Sequence, residues 1–216
     1  MKRITPTLLF LFFLSASFGQ GVKIGVAIEP QITWLSSDSK NVNNNSSYFG
    51  INGGLVIDKY FKKNYAFHTG ISIGTQGGGL KFDDSSSVKT NDGEVILQPH
   101  STVDYKMQYI TIPLGLKLKT NQIGYLTYFV LVGFTNQFRI KAKAKSTDNS
   151  LSNDLISDEI NIYNLAYHFG IGAEYALGQD TALSFGLVYN NGFLDVTKSS
   201  GNVKSRVLSL SVGIMF

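Results

Sequence analysis

Five ionisable residues are spaced so that their side chains could meet in one place. Two bases, two acids and a histidine make up the set: Lys23, Asp58, His68, Lys117 and Glu174. Each lies in a stretch of alternating polar and apolar residues, near the end of the predicted strand that lies with the short turns. If the stretches are strands of one sheet, the five side chains form a single layer on its polar face. That layer could be a proton relay or gate, or a charge-compensated structural network, and we favour the network because buried charges need partners.

The segment RIKAKAK at residues 139–145 is a second candidate site. It contains Arg139, Lys141, Lys143 and Lys145. Strict alternation predicts that these four side chains share one face at the outer end of a long strand. Such a face could contact the phosphates of lipopolysaccharide or an acidic partner. It could also be a solvated strand extension that faces acids such as Asp158 and Glu159.

Signals for enzyme chemistry are weak in this chain. There is no cysteine, and the three histidines are dispersed at His68, His100 and His168, which is the spacing of neither a catalytic triad nor a metal site. The segment GTQGGGL at residues 74–80 lacks the Lys-Ser/Thr ending of a phosphate-binding loop. We interpret it as a flexible exit from a strand into a loop. We therefore expect no catalytic residue, no metal site and no cofactor.

Alternation with a period of two is the main pattern of the chain. In the first such stretch, Val22, Ile24 and Val26 belong to an apolar face, while Lys23 and Gly25 belong to a polar or small one. Side chains alternate in this way across a β-strand. The pattern recurs at residues 22–34, 48–61, 65–76, 105–118, 125–143, 162–177, 181–191 and 207–216. The sequence therefore predicts an all-β protein with eight strands.

The connections between the predicted strands alternate in length. Long connections rich in Ser, Asn, Asp and Gly lie at residues 36–47, 77–104, 144–161 and 192–202, and short ones lie at 62–64, 119–124 and 178–180. Long and short connections therefore lie at opposite ends of the sheet, as in an antiparallel up-and-down meander. We predict one eight-stranded barrel in which the last strand pairs with the first. Pro113 has no N–H to donate, so we expect a bulge or a missing hydrogen bond there.

Whether such a barrel is soluble or spans a membrane depends on which face points outward. An apolar interior would give a lipocalin-like barrel, whereas an apolar exterior would give a transmembrane one. Many glycines lie on the polar face, where the narrow interior of an eight-stranded barrel needs small side chains. Aromatic residues lie at both ends of the apolar face, like the two girdles of a membrane barrel. They are Trp34, Phe49, Phe138 and Tyr189 at the long-loop end, and Phe61, Tyr65, Tyr125 and Tyr175 at the short-turn end. We therefore predict a transmembrane barrel.

The N-terminal segment has the pattern of an export signal. Lys2 and Arg3 precede a short apolar run at residues 8–13, and small residues follow it. We predict a cleavable signal peptide at residues 1–19 and a single barrel domain at residues 20–216. Removal of the signal removes two bases and lowers the formal charge from +4 to +2, so the charge does not point to nucleic acid.

The segment VLSLSVGIMF at residues 207–216 resembles the terminal strand of outer-membrane barrels. In those proteins the barrel assembly machinery reads a last strand that ends in phenylalanine, so the resemblance implies an assembly signal at Phe216. The segments QYITIPLGLKLK (108–119), FGIGAEYAL (169–177) and YNNGFLDV (189–196) are similar to strands of PorT-like barrels of Gram-negative bacteria. That family includes a component needed for protein secretion across the outer membrane, so the resemblance implies a place in the bacterial outer membrane.

These interpretations lead to one main expectation and two alternatives. The main expectation is a non-enzymatic outer-membrane barrel with both termini in the periplasm, which acts through its extracellular loops as a structural or secretion-associated protein. Its expected partners are outer-membrane lipid and lipopolysaccharide, the barrel assembly machinery and other envelope or secretion components, but not nucleic acid. The alternatives are a small porin-like channel and a lipid-modifying outer-membrane enzyme.

Overall fold

The computed structural model describes residues 21–199 and 202–216, and β-strands account for most of them. The signal peptide predicted at residues 1–19 lies outside the described residues. The strands are β1 (Val22–Ser37), β2 (Val42–Lys62), β3 (Tyr65–Phe82), β4 (Ser86–Thr90), β5 (Gly93–Leu97), β6 (Thr102–Lys119), β7 (Leu126–Ser146), β8 (Ser152–Leu155), β9 (Tyr163–Ala176), β10 (Ala182–Gly192) and β11 (Val203–Met215). In the part of the chain that the structure describes, no helix is long and apolar enough to cross a membrane.

Eight of these strands form a closed antiparallel ring. Its order is β1, β2, β3, β6, β7, β9, β10 and β11, and β11 pairs with β1. At this seam Gly25 pairs with Met215, and the backbone of Ile24 exchanges two hydrogen bonds with that of Phe216. The predicted eight-stranded up-and-down barrel, with the last strand paired to the first, is therefore confirmed.

The apolar face of the strands lies on the outside of the ring. On β1, Val26 and Ile28 are 47% and 58% exposed, whereas the inward Gln31 is buried. On β9, Phe169 is exposed and its neighbour His168 is buried. An apolar outer band on a closed ring matches hydrocarbon, which cannot satisfy open sheet edges. The barrel is therefore of the transmembrane kind, as predicted, and not of the lipocalin kind.

The strands change character toward the long-loop end of the barrel. On β6 the outward residue is the apolar Leu116 near the short-turn end, but it is the charged Lys106 near the long-loop end. Near the long-loop end, the inward residues Tyr105 and Met107 are almost completely buried. The wall thus changes from apolar outside to apolar inside, as expected where it leaves hydrocarbon and continues into water.

A cap of loop segments covers the long-loop end. The backbone N–H of Asn91, in the β4–β5 hairpin, donates to the Leu155 carbonyl of β8 at 2.9 Å, and that of Lys198 donates to the Glu159 carbonyl at 2.8 Å. Strands and cap enclose an apolar cluster, here named the cap core. Its residues are Leu35, Leu80, Phe82, Val88, Leu97, Val103, Tyr105, Met107, Tyr109, Ala142, Ala144, Leu151, Ile156, Ile160, Val196 and Val203. The long connections, whose sequences are rich in Ser, Asn, Asp and Gly, thus contain the strands β4, β5 and β8 and scattered apolar residues that meet in this core.

A β-bulge interrupts the pairing of β6 with β7. Gln108 pairs with Lys141, but Tyr109 pairs with Arg139, so Ile140 is an extra residue in β7. Bulges re-aim the side chains that follow them. Residues on either side of Ile140 therefore follow opposite phases of the inward and outward alternation.

Pro113 interrupts pairing on one side of β6 only. Thr111 pairs with Ser72 and Leu114 with Thr69, and the pairing between β6 and β3 skips the two residues between them without a shift of register. The pairing between β6 and β7 continues through Pro113. Of the two outcomes expected for this proline, the structure has the missing pair and not the bulge.

The glycine-rich segment 74–80 belongs to β3 and is not a flexible exit. The hydroxyl of Thr33 on β1 donates to the Gly77 carbonyl and accepts from the Gly77 N–H, both at 2.8 Å. A Cβ atom at Gly78 would lie 2.8 Å from the backbone nitrogen of Leu35. The glycines therefore let β3 come close to β1 across the bulged part of β2.

Candidate functional site

An ion network crosses the lumen near the short-turn end of the barrel. Lys117 Nζ lies 2.6 Å from Asp58 Oδ2 and 2.5 Å from Glu174 Oε1, and Lys119 Nζ lies 2.5 Å from Glu174 Oε2. His68 Nδ1 lies 2.7 Å from Asp58 Oδ1. These residues come from β2, β3, β6 and β9, so the network joins strands that are not neighbours in the ring. The formal charges of the two lysines and the two carboxylates in this network cancel.

Phe129 forms a platform beside the ion network. Lys117 Nζ lies 4.6 Å from the centroid of its ring, which is the geometry of a cation–π contact. The ring points inward from β7 and covers Gly172 and Gly186, which pair with each other on β9 and β10. Glycine on these strands therefore leaves the space that Phe129 fills.

The structure places four of the five predicted network residues together and adds others. Lys23 lies apart from the contacts of Lys117, because its Nζ donates to the Asp180 carbonyl at 3.2 Å at the barrel mouth. Lys119 and Tyr60 join the network instead, with Lys119 Nζ 3.1 Å from Tyr60 Oη. Sequence reasoning missed these two, although each lies two residues beyond a predicted member and therefore on the same face.

The ion network separates two cavities. Lys117 and Phe129 line a lumen cavity of about 100 Å³, which has room for ordered water. Lys119, Tyr60 and Lys23 line a pocket of about 390 Å³ at the short-turn mouth. Buried tyrosines and Met107 of the cap core fill the opposite end of the barrel. The lumen is therefore closed at both ends by packed side chains.

Polar residues line the middle of the lumen, and they include Glu29, whose Oε2 accepts a hydrogen bond from the Asn52 side-chain amide at 2.7 Å. The Thr135 hydroxyl donates to Asn190 Oδ1 at 2.8 Å, and its oxygen lies 2.9 Å from His168 Nδ1. His168 Nε2 is buried against Gly115 and Gly133 and has no hydrogen-bond partner among the described residues. Among the described residues no acid is hydrogen-bonded to His168, so its contact with the Thr135 hydroxyl is not part of a charge relay.

The two other histidines lie beside carboxylates, and within the described residues no hydrogen bond joins either of them to a hydroxyl. His68 contacts Asp58 inside the ion network, and His100 lies 3.9 Å from Asp83 on the exposed surface. Among residues 21–199 and 202–216, no group of three or more His, Asp or Glu residues is arranged to hold a metal ion.

The basic segment at residues 139–145 does not present one face, so the prediction of a shared face is wrong for Arg139. Arg139 pairs with the buried Tyr109 and lies on the inward face, before the bulge at Ile140. After the bulge, the inward positions belong to alanines of the cap core, and the lysines point outward. Those outward residues are Lys141, Lys143 and Lys145.

Glu159 does not face these lysines, contrary to one of the alternatives for this segment. Its side chain is completely buried in the cap. It accepts hydrogen bonds from the Ser199 N–H at 2.9 Å and the Ser199 hydroxyl at 2.7 Å, and a longer one from the Lys89 N–H at 3.4 Å. Glu159 therefore joins three loop segments of the cap, which is a structural role.

Asp148 holds two other cap loops together. Its Oδ1 accepts hydrogen bonds from the hydroxyls of Ser146 at 2.5 Å and Ser150 at 2.6 Å, and its Oδ2 accepts from the Ser101 hydroxyl at 2.9 Å. The bonds from Ser146 and Ser150 hold the pKa of the Asp148 carboxyl well below its usual range. The ionised form of Asp148 therefore stabilises the link between residues 146–151 and residues 98–101.

Several solved outer-membrane proteins have a similar architecture. Neisserial surface protein A is 14% identical with a TM-score of 0.48, over 89% of this chain and 97% of that chain. Ail, the attachment invasion locus protein of Yersinia pestis, is 13% identical with a TM-score of 0.44, over 91% and 99%. OprG from Pseudomonas aeruginosa is 11% identical with a TM-score of 0.43, over 91% and 97%. No protein with a curated description matches the chain.

The family assignment agrees with the closed ring and its apolar exterior. A family of bacterial outer-membrane barrels, described as "Outer membrane protein beta-barrel domain", matches residues 15–198, which is most of the chain. The strands β1 to β10 lie within the matched residues. The chain therefore belongs to the outer membrane protein beta-barrel domain family and is an outer-membrane β-barrel protein.

Proposed function

We propose that this protein is a non-enzymatic barrel with a closed lumen, which acts by binding another envelope component through its cap. The cap is oriented to the cell exterior, and both termini lie in the periplasm together with the short turns. The resemblance of three strand segments to PorT-like barrels makes protein secretion the first process to test. We also propose that the chain is a PorT-like barrel, that it takes part in secretion and that Phe216 is its assembly signal.

The observation that carries the proposal is closure of the lumen at both ends. The ion network fills one end with paired charges, and removing a lysine from it would leave a buried carboxylate without compensation. The cap core fills the other end with apolar side chains. A closed lumen gives no continuous path for water or solutes. The loops of the cap are therefore the surface through which the protein can bind a partner.

Conductance measurements test the closed lumen directly. The purified full chain, inserted into planar bilayers, is expected to give no steady open events. The matched control is a Lys117→Ala/Lys119→Ala variant, which removes both lysines of the ion network and should leak more than the native chain. Steady conductance of the native chain would contradict the closed barrel and favour the small porin-like channel.

The role of the cap is tested in cells. Ile96 on β5 is 75% exposed in the cap, and Ile123 in a short turn is 66% exposed at the other end. In a deletion strain, plasmid-borne Ile123→Asp should restore secretion of cargo proteins, whereas Ile96→Asp should restore it only in part. Normal secretion in the deletion strain itself would remove the transport role.

A further inference from the structure

The outward lysines of β6 and β7 form a surface that neither the ion network nor the cap explains. Lys106 on β6 lies directly opposite Lys143 on β7. Lys141 and Lys145 lie on either side of Lys143, on the same outward face. We name these four residues the basic patch. Lys106 Nζ lies 5.9 Å from the centroid of the Tyr48 ring, which is a cation–π contact and not an ion pair. Like charges directly opposite each other destabilise a sheet, so an anion bound across Lys106 and Lys143 would stabilise the basic patch.

The acids near the basic patch have other partners. Among the described residues, no ion pair includes a lysine of the patch. Asp104 pairs across the strands with Lys145, but its carboxylate accepts a hydrogen bond from the Ser46 hydroxyl at 3.0 Å. Asp154 on β8 accepts from the Ser152 N–H at 3.0 Å. The compensating anion is therefore not supplied by these carboxylates.

Exposed apolar side chains adjoin the basic patch. Leu155 on β8 is 40% exposed at the level of the patch, and Ile140 and Ile162 are 48% and 64% exposed on its membrane side. The rings of Phe138 and Tyr163 contact each other with centroids 5.3 Å apart. Ammonium groups can bind the anionic head of a lipid, and adjacent exposed apolar and aromatic side chains can contact its apolar tail.

We propose that the basic patch binds the phosphate groups of an anionic lipid in the outer leaflet, and that the adjoining apolar residues contact its acyl chains. At about 3.3 Å per residue, Lys141 and Lys143 lie about 3 and 10 Å along the strand from Ile140, which is a depth suited to head groups. The proposal goes beyond the role of the cap. It rests on the proposed orientation, in which the long loops face the exterior.

The bulge at Ile140 makes this surface. If Ile140 were paired as a regular strand residue, the lysines that follow it would have the phase of Arg139 and point into the cap core. With the bulge, Ala142 and Ala144 fill the core while the lysines face outward. One irregular position thus lets a single strand serve an apolar interior and a basic exterior.

The test is a binding measurement on the full chain in a non-ionic detergent. Bisphosphorylated lipid A is titrated, and its complexes are counted by native mass spectrometry. A Lys106→Gln/Lys141→Gln/Lys143→Gln variant should bind about a hundredfold more weakly, at about fivefold for each lysine next to an anionic head group. The corresponding triple arginine variant should bind like the native chain. Heat-modifiable migration checks that each variant is folded.

The matched control changes three exposed lysines at the opposite end, Lys59, Lys62 and Lys63, to glutamine. It should bind lipid A like the native chain. Equal loss of binding in the control and the patch variant, or no loss in the patch variant, would overturn the proposal.

Two further probes distinguish the chemistry of the ligand. Lipid A without its phosphates should bind at least tenfold more weakly than the bisphosphorylated form, and equal binding would overturn the role of phosphate. Inorganic phosphate at the same concentration should not compete, and full competition would assign the site to a soluble anion. Because the titration is done in detergent, its outcome does not depend on orientation, so failure of the site and failure of the orientation are distinguishable.

Discussion

Gly172 and Gly186 face each other across β9 and β10, yet they have different amounts of free space. A Cβ atom at Gly172 would overlap the Phe129 ring and the Phe185 carbonyl oxygen, whereas one at Gly186 would lie 3.4 Å from Phe129 Cζ, an ordinary contact. Overpacking a core costs about 1–3 kcal/mol. We therefore expect Gly172→Ala to lower the free energy of unfolding by about that amount and Gly186→Ala to leave it nearly unchanged.

Denaturant titration of the two glycine variants in micelles measures this difference. If Gly186→Ala is as destabilising as Gly172→Ala, the cost comes from the loss of glycine as such, and the platform formed by Phe129 is not its cause.

Lys117 is the residue on which the ion network depends most. It is almost completely buried, between one carboxylate of β2 and one of β9. Removing one member of a buried ion pair costs about 3–5 kcal/mol, because the charge that remains is not compensated. Lys117→Met should therefore lower the free energy of unfolding by about that amount. Lys23→Met is the matched control at the same mouth and should cost far less, since the hydrogen bond that Lys23 makes within the described residues is to a neutral carbonyl.

Thermal unfolding of the two lysine variants in micelles, followed by heat-modifiable migration, checks this expectation. A similar loss of stability in both variants would mean that the ion network contributes no more to stability than the single hydrogen bond of Lys23. A gain in stability for Lys117→Met would mean that the cost of burying its charge exceeds the benefit of its two pairs.

At the level of residues, the sequence predicts which positions share a face better than which ones touch. Asp58, Lys117 and Glu174 were placed together because alternation alone assigns them to the lumen. Lys23 has the same phase and lies directly opposite Asp58 across β1 and β2, yet its side chain extends to the Asp180 carbonyl in a short turn. Alternation in a single strand predicts the face on which a residue lies but not the direction in which a long side chain extends.

At the level of elements, β7 contains two regular strands joined by one extra residue. Deleting Ile140 would leave every residue on its present face, because the lysines beyond it would keep their partners on β6. Deleting Val132, in a regular part of β7, would instead move every residue on one side of it to the opposite face. We expect the chain without Ile140 to assemble as a folded barrel and the chain without Val132 to fail.

Heat-modifiable migration of membranes that contain the two deletion variants measures their assembly. If neither variant assembles, the bulge stabilises the fold in a way that goes beyond its effect on the inward and outward alternation of β7. If both assemble, the register of β7 is not fixed by its apolar face.

The cap could not be predicted from the sequence, because its buried residues lie in segments without a periodic pattern. Val88, Leu97, Ile156 and Ile160 are completely buried, but each lies among polar residues in a segment without long alternation. Their burial depends on four loops that meet above the ring. The bulge escaped prediction as well, because the segment RIKAKAK alternates regularly on both sides of it.

The hydrogen bonds of Asp148 predict how the cap responds to pH. Its pKa is lowered in the folded chain, so its stabilising effect is present above the unfolded value of about 3.9 and is lost as the pH falls toward the folded value. We expect the protection factors of the Ser150 and Leu151 amides, which are corrected for the intrinsic pH dependence of exchange, to fall below about pH 4, in line with that unfolded value. Hydrogen exchange measured at neutral and acidic pH checks this.

Asp148→Asn should speed the exchange of the same amides already at neutral pH, because it removes the charge that strengthens these bonds. Asp92→Asn, in the turn of the β4–β5 hairpin, is the matched control and should have no effect on them. Equal protection in the native chain and in Asp148→Asn would contradict the role assigned to this carboxylate.

At the level of the whole molecule, the ring was predictable because several independent patterns agree on it. Alternation defines two faces, the lengths of the connections define two ends, and aromatic residues mark both ends of the apolar face. Ring contacts such as Tyr125 with Tyr175, at 5.8 Å, and Trp34 with Tyr189, at 6.4 Å, lie at opposite ends of the barrel. Closure follows, since hydrocarbon does not tolerate an open edge.

Orientation in the membrane is the prediction at this scale, and the absence of native cysteine makes it directly measurable. Asn149→Cys places a thiol in the cap, and Gln179→Cys places one in a short turn, with both positions exposed. A maleimide that does not cross membranes should label Asn149→Cys in intact cells and Gln179→Cys only after the outer membrane is opened. Because barrels of this kind extend long loops outward and keep short turns in the periplasm, the reverse labelling would place the cap in the periplasm and the basic patch in the inner leaflet.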